Sequence, residues 1–502
     1  MMKKYLSIIF ITIAIAGSSC KKTYLDELKN NPNVPSVASP SLLLSGGLKT
    51  TAGILNGSSY TMYASWIGYL SWSTGFQANT ALEQYQFTTS SYDVWTPLYG
   101  NIANYNSILT ANAGANYTGI ATIMTVVDYQ QLVDNYNNVP YSQALKGVTN
   151  LTPAYDKGTD IYPDLMKKLD AAITMIQGAP ATDANPGVSD IMFGGDMTSW
   201  VKYANTLKLR LALRVSENPN LTAMYATFKT AVAATEALGY LDGTVGAYVN
   251  PGYTNSDAFG GQQSPLWINY GYSQSGSANT NNQEYQANQY SIDFFTNNSD
   301  PRLTQVYAPN PDGNVIGSKF GATVTFPKGG VTPSKLGPGV LKDPSMDAVI
   351  MSSAEALFLQ AEGVVKGLIT GDAAALYNAG ITNSFEFDLV GGTTAAADAA
   401  ATMYEAQVGI VYPTGGSVAA QEEAIIIQKW AALQAYGAFE AFNDFRRTGY
   451  PNDIPLSIYP GANAPNQVTR IFYPFVEYST NAANVAAQGT IDKFNSKIFW
   501  AK

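Results

Sequence analysis

Two stretches of this chain place flat apolar rings beside side chains that both give and accept hydrogen bonds. One is SWIGYLSWSTGFQANTALEQYQF (65–87), with Trp66, Trp72, Phe76, Gln77, Asn79, Glu83 and Tyr85. The other is PLWINYGYSQSGSANTNNQEYQANQ (265–289), with Trp267, Asn269, Tyr270, Tyr272, Gln274, Asn279, Asn282 and Gln283. A sugar offers apolar C–H faces and dense hydroxyls, so it is held by aromatic platforms flanked by amides and carboxylates. Trp66 keeps helical spacing with Tyr69 and Leu70 and reads as core. Trp72 and Phe76 stand near or past the end of that helix and are expected to face outward. Trp267, Tyr270 and Tyr272 fall within one short span beside a Gly/Ser/Asn run, which does not read as core. Packing within the loop, or contact with another protein, is the competing reading. The candidate ligand-binding residues are Trp72, Phe76, Trp267, Asn269, Tyr270, Tyr272 and Gln274.

Other chemistries are narrowed by composition. The chain has no His, which removes the commonest general acid/base and the commonest metal ligand. Ser–His and Cys–His nucleophiles are impossible. Hydrolysis by two carboxylates stays open and requires an Asp/Glu pair about 5–9.5 Å apart across a cleft. Asp128 and Asp134 lie on or near helices, and the sequence places no pair at that separation. DANPGVSD (183–190) and NPDGN (310–314) lack the terminal bidentate Glu of a calcium loop and read as turns. GNVIGSK (313–319) has the wrong Gly spacing for a phosphate loop. No cofactor and no metal are expected. A net charge of −9 gives no basic face for nucleic acid.

The single cysteine, Cys20, cannot form an intramolecular disulfide. It follows Lys3 and Lys4, the apolar run IIFITIAIA (8–16) and the small residues Gly17, Ser18 and Ser19. The apolar run is shorter than the roughly 20 residues that span a bilayer, and the pattern is that of a secretory signal over residues 1–19. Small residues directly before a Cys resemble a bacterial lipobox, whose Cys is lipidated and becomes the mature N-terminus. Residues 20–40, polar and rich in Pro and Asn, read as a tether.

The body, residues 41–502, must position the candidate rings. The whole chain has 46% hydrophobic and 13% charged residues, so the body is expected to fold around a packed core. Helical periodicity predicts helices over 41–55, 60–72, 92–113, 118–137, 159–177, 199–217, 221–238 and 284–297. In 199–217 Ser199 or Thr198 is placed to cap, and Asn218-Pro219 to terminate. Arg210 and Arg214 lie one turn apart and would repel unless acids answer them, so both are read as structural ion-pair partners. The stretch 352–387 reads as a helix hairpin capped by Ser352 or Ser353 and turning at Gly371-Asp372. It is tetratricopeptide-like in length and in its small packing residues. The stretch 423–447 reads as one long helix. Strand signals are scarce, with ATVTFP (322–327) as the candidate. The region 241–347 reads mainly as loop insertions, its helical pattern broken over 241–282 and 307–347; loops of that length are functional or disordered.

The chain resembles the SusD/RagB family of outer-membrane nutrient-binding lipoproteins, in its SusD-like branch. The resemblance rests on the lipobox Cys20, YLDELKNNPNVPS (24–36), LVDNYNNVPYSQAL (132–145) and WVKYANTLKLRLALRVS (200–216), and on SDPRL (299–303), AEALFLQAEG (354–363), QKWAALQAYGAFEAFNDFRRTGYP (428–451) and RIFYPFVEYSTN (470–481), in that order. It implies an all-α, tetratricopeptide-like helix-pair scaffold with long irregular loops and minimal β structure. It implies no catalysis. It implies a lipid-anchored protein of the outer membrane that captures glycans, or in some relatives peptides, for a SusC-type TonB-dependent transporter. The family's ligand residues vary, so the resemblance assigns none here.

Overall fold

The computed structural model describes residues 38–324 and 331–502. Cys20 and the signal lie outside the described residues, as do the tether up to residue 37 and the second half of the candidate strand 322–327. Residues 322–324 of that strand are irregular.

The chain is mostly helical. The long helices are α1 (Pro40–Leu55), α3 (Trp95–Thr110), α4 (Ala115–Tyr136), α5 (Gly158–Gln177), α6 (Met197–Arg214) and α7 (Thr222–Thr235), with the short α2 (Thr61–Trp66) between the first two. Short helices α8 (Pro265–Tyr270), α9 (Thr280–Glu284) and α10 (Gln289–Asn297) lie within or beside the loop region. They are followed by α11 (Ser353–Val365), α12 (Ala373–Phe387), α13 (Thr394–Glu405), α14 (Val418–Leu433) and α15 (Ala438–Thr448). Consecutive helices pack on one another from α3 through α7; α6 then packs on α11, and α11 on α12 and α14. This is a layer of helix pairs in the tetratricopeptide manner. The larger core runs through α1–α7, α14 and α15, and Trp66, Trp200, Trp430 and Trp500 are fully buried. A second cluster, including Phe358, Tyr377, Phe385 and Tyr404, joins α11, α12, α13 and α14. No helix among the described residues is long and apolar enough to cross a membrane.

The sheets are two-stranded and antiparallel. They join β1 (Leu70–Trp72) to β5 (Tyr285–Ala287), β2 (Val139–Pro140) to β3 (Tyr155–Asp156), β4 (Ala247–Val249) to β8 (Ala348–Met351), and β6 (Tyr307–Ala308) to β7 (Lys335–Leu336).

The helix hairpin stands where its residues predict. Ser352 accepts from Glu355 N at 3.1 Å, Gly371 takes a positive φ, and Asp372 caps α12 through Ala374 N and Ala375 N. Other boundaries are corrected. Asp196, not Ser199 or Thr198, caps α6; it accepts from Thr198 N at 2.9 Å and Ser199 Oγ at 2.7 Å. The helix expected over 60–72 stops at Trp66. Gly68 there has φ +86, and a Cβ on it would lie 2.6 Å from the Tyr290 ring. The helix expected over 284–297 loses its start to β5. These two misread stretches are partners, with Trp72 opposite Tyr285, so cross-strand pairing overrides helical periodicity in both. The helix expected over 423–447 breaks at Gln434, where φ is +46, because Gln434 turns to donate to buried Asp388 at 2.7 Å. Helix α13 has no counterpart in the periodicity reading; Thr393 caps it.

Arg210 and Arg214 are both buried, and acids from other helices answer both. Arg210 pairs with Glu355 of α11 at 2.6 Å and lies 3.8 Å from Glu440 of α15. Arg214 donates to Glu440 and reaches Asp134 of α4 at 3.4 Å and Asp444 of α15 at 3.8 Å. Lys429 of α14 bonds Asp444 at 2.9 Å, and Arg447 of α15 pairs with Glu362 of α11 at 2.5 Å. Asp134 also accepts the Trp500 indole N–H at 2.8 Å and the Tyr162 hydroxyl. Burial pushes Glu440 and Asp444 up, but the cations outweigh it. Arg214, then Arg210 and Lys429, bring Glu440 down to about 2; Lys429, then Arg447 and Arg214, hold Asp444 well below the usual carboxylate range. Removing one member leaves an uncompensated buried charge, which costs about 3–5 kcal/mol. Arg214→Met is therefore expected to lose about 3–5 kcal/mol in urea unfolding at neutral pH. A loss below about 1 kcal/mol, the scale of an exposed pair, would refute the network's role.

Asp128 of α4 differs, because no cation lies within ion-pair distance among the described residues. It accepts from Asn101 of α3 at 2.8 Å and Thr51 of α1 at 3.3 Å. Burial pushes its carboxyl up to about 8, and the two hydrogen bonds offset only part of that. The folded pKa lies above the unfolded value of about 3.9, so the proton is held by the folded state. That contribution is complete below about pH 4 and is lost as pH rises toward about 8. Chemical denaturation of wild type and Asp128→Asn at pH 5 and pH 8 tests this. The variant's stability relative to wild type should rise with pH, and a difference that stays constant would show that Asp128 does not titrate in this window.

Candidate functional site

The candidate loop is built by its own amides. Asn279 Nδ2 donates to the carbonyls of Trp267 at 3.1 Å and Ile268 at 3.0 Å, closing the turn that follows α8. Asn282 Nδ2 donates to Tyr270 O at 2.6 Å, and Gln263 Nε2 donates to Tyr272 O at 3.2 Å and Asn255 Oδ1 at 2.8 Å. The Trp267 indole N–H donates to Tyr272 O at 2.9 Å, and the backbone N–H of Gln274 donates to Asp257. Within the other stretch, Asn79 and Glu83 spend polar atoms on reciprocal capping of a short helical turn.

The rings fall into two groups. Trp267 lies 6.1 Å from Tyr272, and Tyr272 is 41% exposed. Trp72 lies 6.4 Å from Phe76 and 5.2 Å from Tyr285; Tyr285 in turn lies 6.0 Å from Tyr270. Phe76 is 42% exposed and Trp72 half-buried. Tyr270 is only 4% exposed and packs its ring inside the loop, so it does not present a face to solvent. Gln274 is exposed. No ring contact joins Trp267 or Tyr272 directly to Trp72 or Phe76; buried Tyr270 and Tyr285 lie between the candidate stretches.

Beside this loop lies a cleft of about 980 Å³. One wall is the C-terminal part of α1 and the turn after it, from Lys49 to Ser59, with Pro97 of α3. The other wall is Tyr253 and residues between Gly261 and Asn281. Asn269 is the candidate residue that lines it; Ser273, between Tyr272 and Gln274, also lines it. Asn281 Nδ2 donates to Asn269 Oδ1, which leaves Asn269 Nδ2 and Asn281 Oδ1 without protein partners. Gly57 makes the first wall possible, because a Cβ there would sit 2.3 Å from Gly53 O. Sequence reasoning missed Tyr253, whose buried hydroxyl has no hydrogen-bond partner in the protein. Burial raises its pKa, so the hydroxyl stays protonated as a donor. Phe259 was missed as well. It is 97% exposed, at φ +54, on a turn two residues before Gly261 of the cleft wall. The Phe-Gly-Gly run (259–261) was the available turn signal.

No Asp or Glu is among the residues lining the cleft. Asp156, Asp160 and Asp164 share another concavity. There Asp156 accepts from Tyr141 N, Ser142 N and Ser142 Oγ, and Asp164 takes the Tyr141 hydroxyl and an ion pair with Lys168. The bonds from Tyr141 and Ser142 fasten the segment after β2 to β3 and to α5.

Because the amide bonds of Asn279 hold only the local turn, Asn279→Ala is expected to raise amide hydrogen exchange over residues 265–281. Global stability should change by about 1 kcal/mol or less, the worth of ordinary hydrogen bonds. Unchanged exchange in that segment would contradict the clamp.

A family model described as starch-binding and associating with the outer membrane matches residues 32–474. Among solved structures, a candidate nutrient-binding outer-membrane protein of Bacteroides vulgatus is 23% identical with a TM-score of 0.74, covering 93% of this chain and 100% of its own. A chitin-binding protein is 25% identical with a TM-score of 0.72, covering 91% of this chain and 100% of its own. A SusD-like protein of Bacteroides thetaiotaomicron is 24% identical with a TM-score of 0.70, covering 91% of this chain and 98% of its own. No curated protein matches the chain significantly.

Proposed function

The chain belongs to the SusD-like family, described as starch-binding and associating with the outer membrane, and from that premise we propose that it captures oligosaccharides and passes them, chemically unchanged, to a SusC-type TonB-dependent transporter. The observation that carries the binding reading is a cleft of about 980 Å³ lined by Tyr253, whose buried hydroxyl has no partner in the protein. An unpaired buried hydroxyl costs roughly 1–3 kcal/mol, and a sugar hydroxyl in the cleft relieves it. Asn269 Nδ2 and Asn281 Oδ1 offer a further donor and acceptor. The cleft itself is lined by none of the candidate rings; Phe259, Trp267 and Tyr272, on the same loop as one of its walls, are the platforms against which sugar faces rest. A cleft lined by no carboxylate, in a chain without His, favours binding over hydrolysis. Lipidation at Cys20 is the proposed anchor, with the helical body at the cell surface. The chitin-binding structural relative and the starch-binding family description make glucans and chitin fragments the first ligands to try.

Calorimetry against soluble malto- and chito-oligosaccharides, with peptides as a comparison set, tests the reading. Saturable heat with a sugar is expected; its absence across the set refutes oligosaccharide capture. Tyr253→Phe separates binding from folding. Loss of an unpaired hydroxyl should leave the melting temperature equal or higher, while the lost ligand hydrogen bond weakens affinity about three- to tenfold, the equivalent of roughly 0.5–1.5 kcal/mol. Unchanged affinity would remove Tyr253 from the site.

A further inference from the structure

We infer that a second concavity, between α10, α14 and the turn 451–453, is a separate binding site for a neutral mono- or disaccharide. It has a volume of about 510 Å³ and shares no lining residue with the cleft. That volume falls within the roughly 300–1,000 Å³ of small-molecule pockets.

Its chemistry is that of sugar recognition. Tyr290 and Phe294 stand one turn apart on α10 and both line it. Their rings are fixed edge-on against buried Trp430, at 5.6 Å and 5.0 Å. Ile427 of α14 adds an apolar wall. Tyr290 donates its hydroxyl to Asp453 Oδ1 at 2.5 Å, which orients that carboxylate and leaves Oδ2 free. Gln289 does the same for Asp293 Oδ1 at 2.7 Å. A carboxylate held by one oxygen is a ready acceptor for a ligand hydroxyl. Asn297 and Asn452 are exposed, their side chains have no protein hydrogen-bond partner, and both line the same space, one from α10 and one from the turn 451–453. Each supplies two donors and an acceptor at no cost to the fold. No Lys or Arg lines the pocket, so two carboxylates set its potential and an anionic sugar is disfavoured. The site stands on these residues alone and does not depend on the cleft being the capture site.

Hydrogen–deuterium exchange of the full chain with maltose, diacetylchitobiose or galacturonate, each at about 10 mM to reach millimolar affinities, tests this. At least one neutral sugar should protect 289–298 and 450–454, and galacturonate should not. Asn297→Ala/Asn452→Ala, which removes no protein contact, should weaken that protection at least tenfold in ligand concentration and leave any protection over 261–281 unchanged. Protection over 261–281 alone overturns the second site and keeps the cleft reading. Protection over 289–298 and 450–454 alone supports the second site against the cleft. Protection at neither overturns both, and protection by galacturonate overturns the charge argument.

Discussion

The buried ion network around Arg210, Arg214, Lys429 and Arg447 is the constraint on which the remaining architecture rests. It draws acids from α4, α11 and α15 onto cations from α6, α14 and α15, so helices far apart in sequence meet at one place. Charges taken out of water are tolerable only when every one is answered with good geometry. That demand makes the packing of these helices selective as well as stable. A slip of one turn at α6 would leave Arg210 or Arg214 facing apolar side chains, at a cost far above that of a lost methylene.

A frame held in this way lets the connecting segments depart from regular structure. The loop from Tyr253 to Asn282 is organised by side-chain amides donating to backbone carbonyls, and it sends Tyr253, Leu266 and Tyr270 into the core. Asn269 and Asn281, which help to build it, keep one polar atom each without a protein partner. The pair of β1 and β5 fastens this loop to the segment carrying Trp72 and Phe76, and Tyr285 is wedged between them. The cleft wall is thus a set of short, locally bonded turns laid against a helical layer whose geometry the charges fix.

Much of the frame could be read from residue spacing, because helices α1, α3–α7, α11 and α12 carry an apolar stripe that is a local property. The stretches that failed did so for non-local reasons. Residues 70–72 and 285–287 keep helical neighbours in sequence but find each other as strands, and Gln434 leaves the helix to reach Asp388 from α12's C-terminal end. The ring-rich loop was visible in composition, and Trp72, Phe76, Trp267 and Tyr272 do reach or approach solvent. Tyr253 and Phe259 were not visible as site residues, since a lone Tyr or Phe looks the same in sequence whether its hydroxyl is orphaned or its ring exposed.

Residue types and order by themselves determined the helical class, the family motifs, the absence of histidine chemistry and the need of Arg210 and Arg214 for acidic partners. Each of these depends on periodicity, composition or the charge of a single side chain. Only the tertiary structure decided which acids answer those arginines, that Tyr270 turns inward while Asn269 lines a cleft, and that α10 and the 451–453 turn enclose a second concavity. Those outcomes depend on which distant segments meet, and burial and hydrogen-bond satisfaction are properties of that meeting.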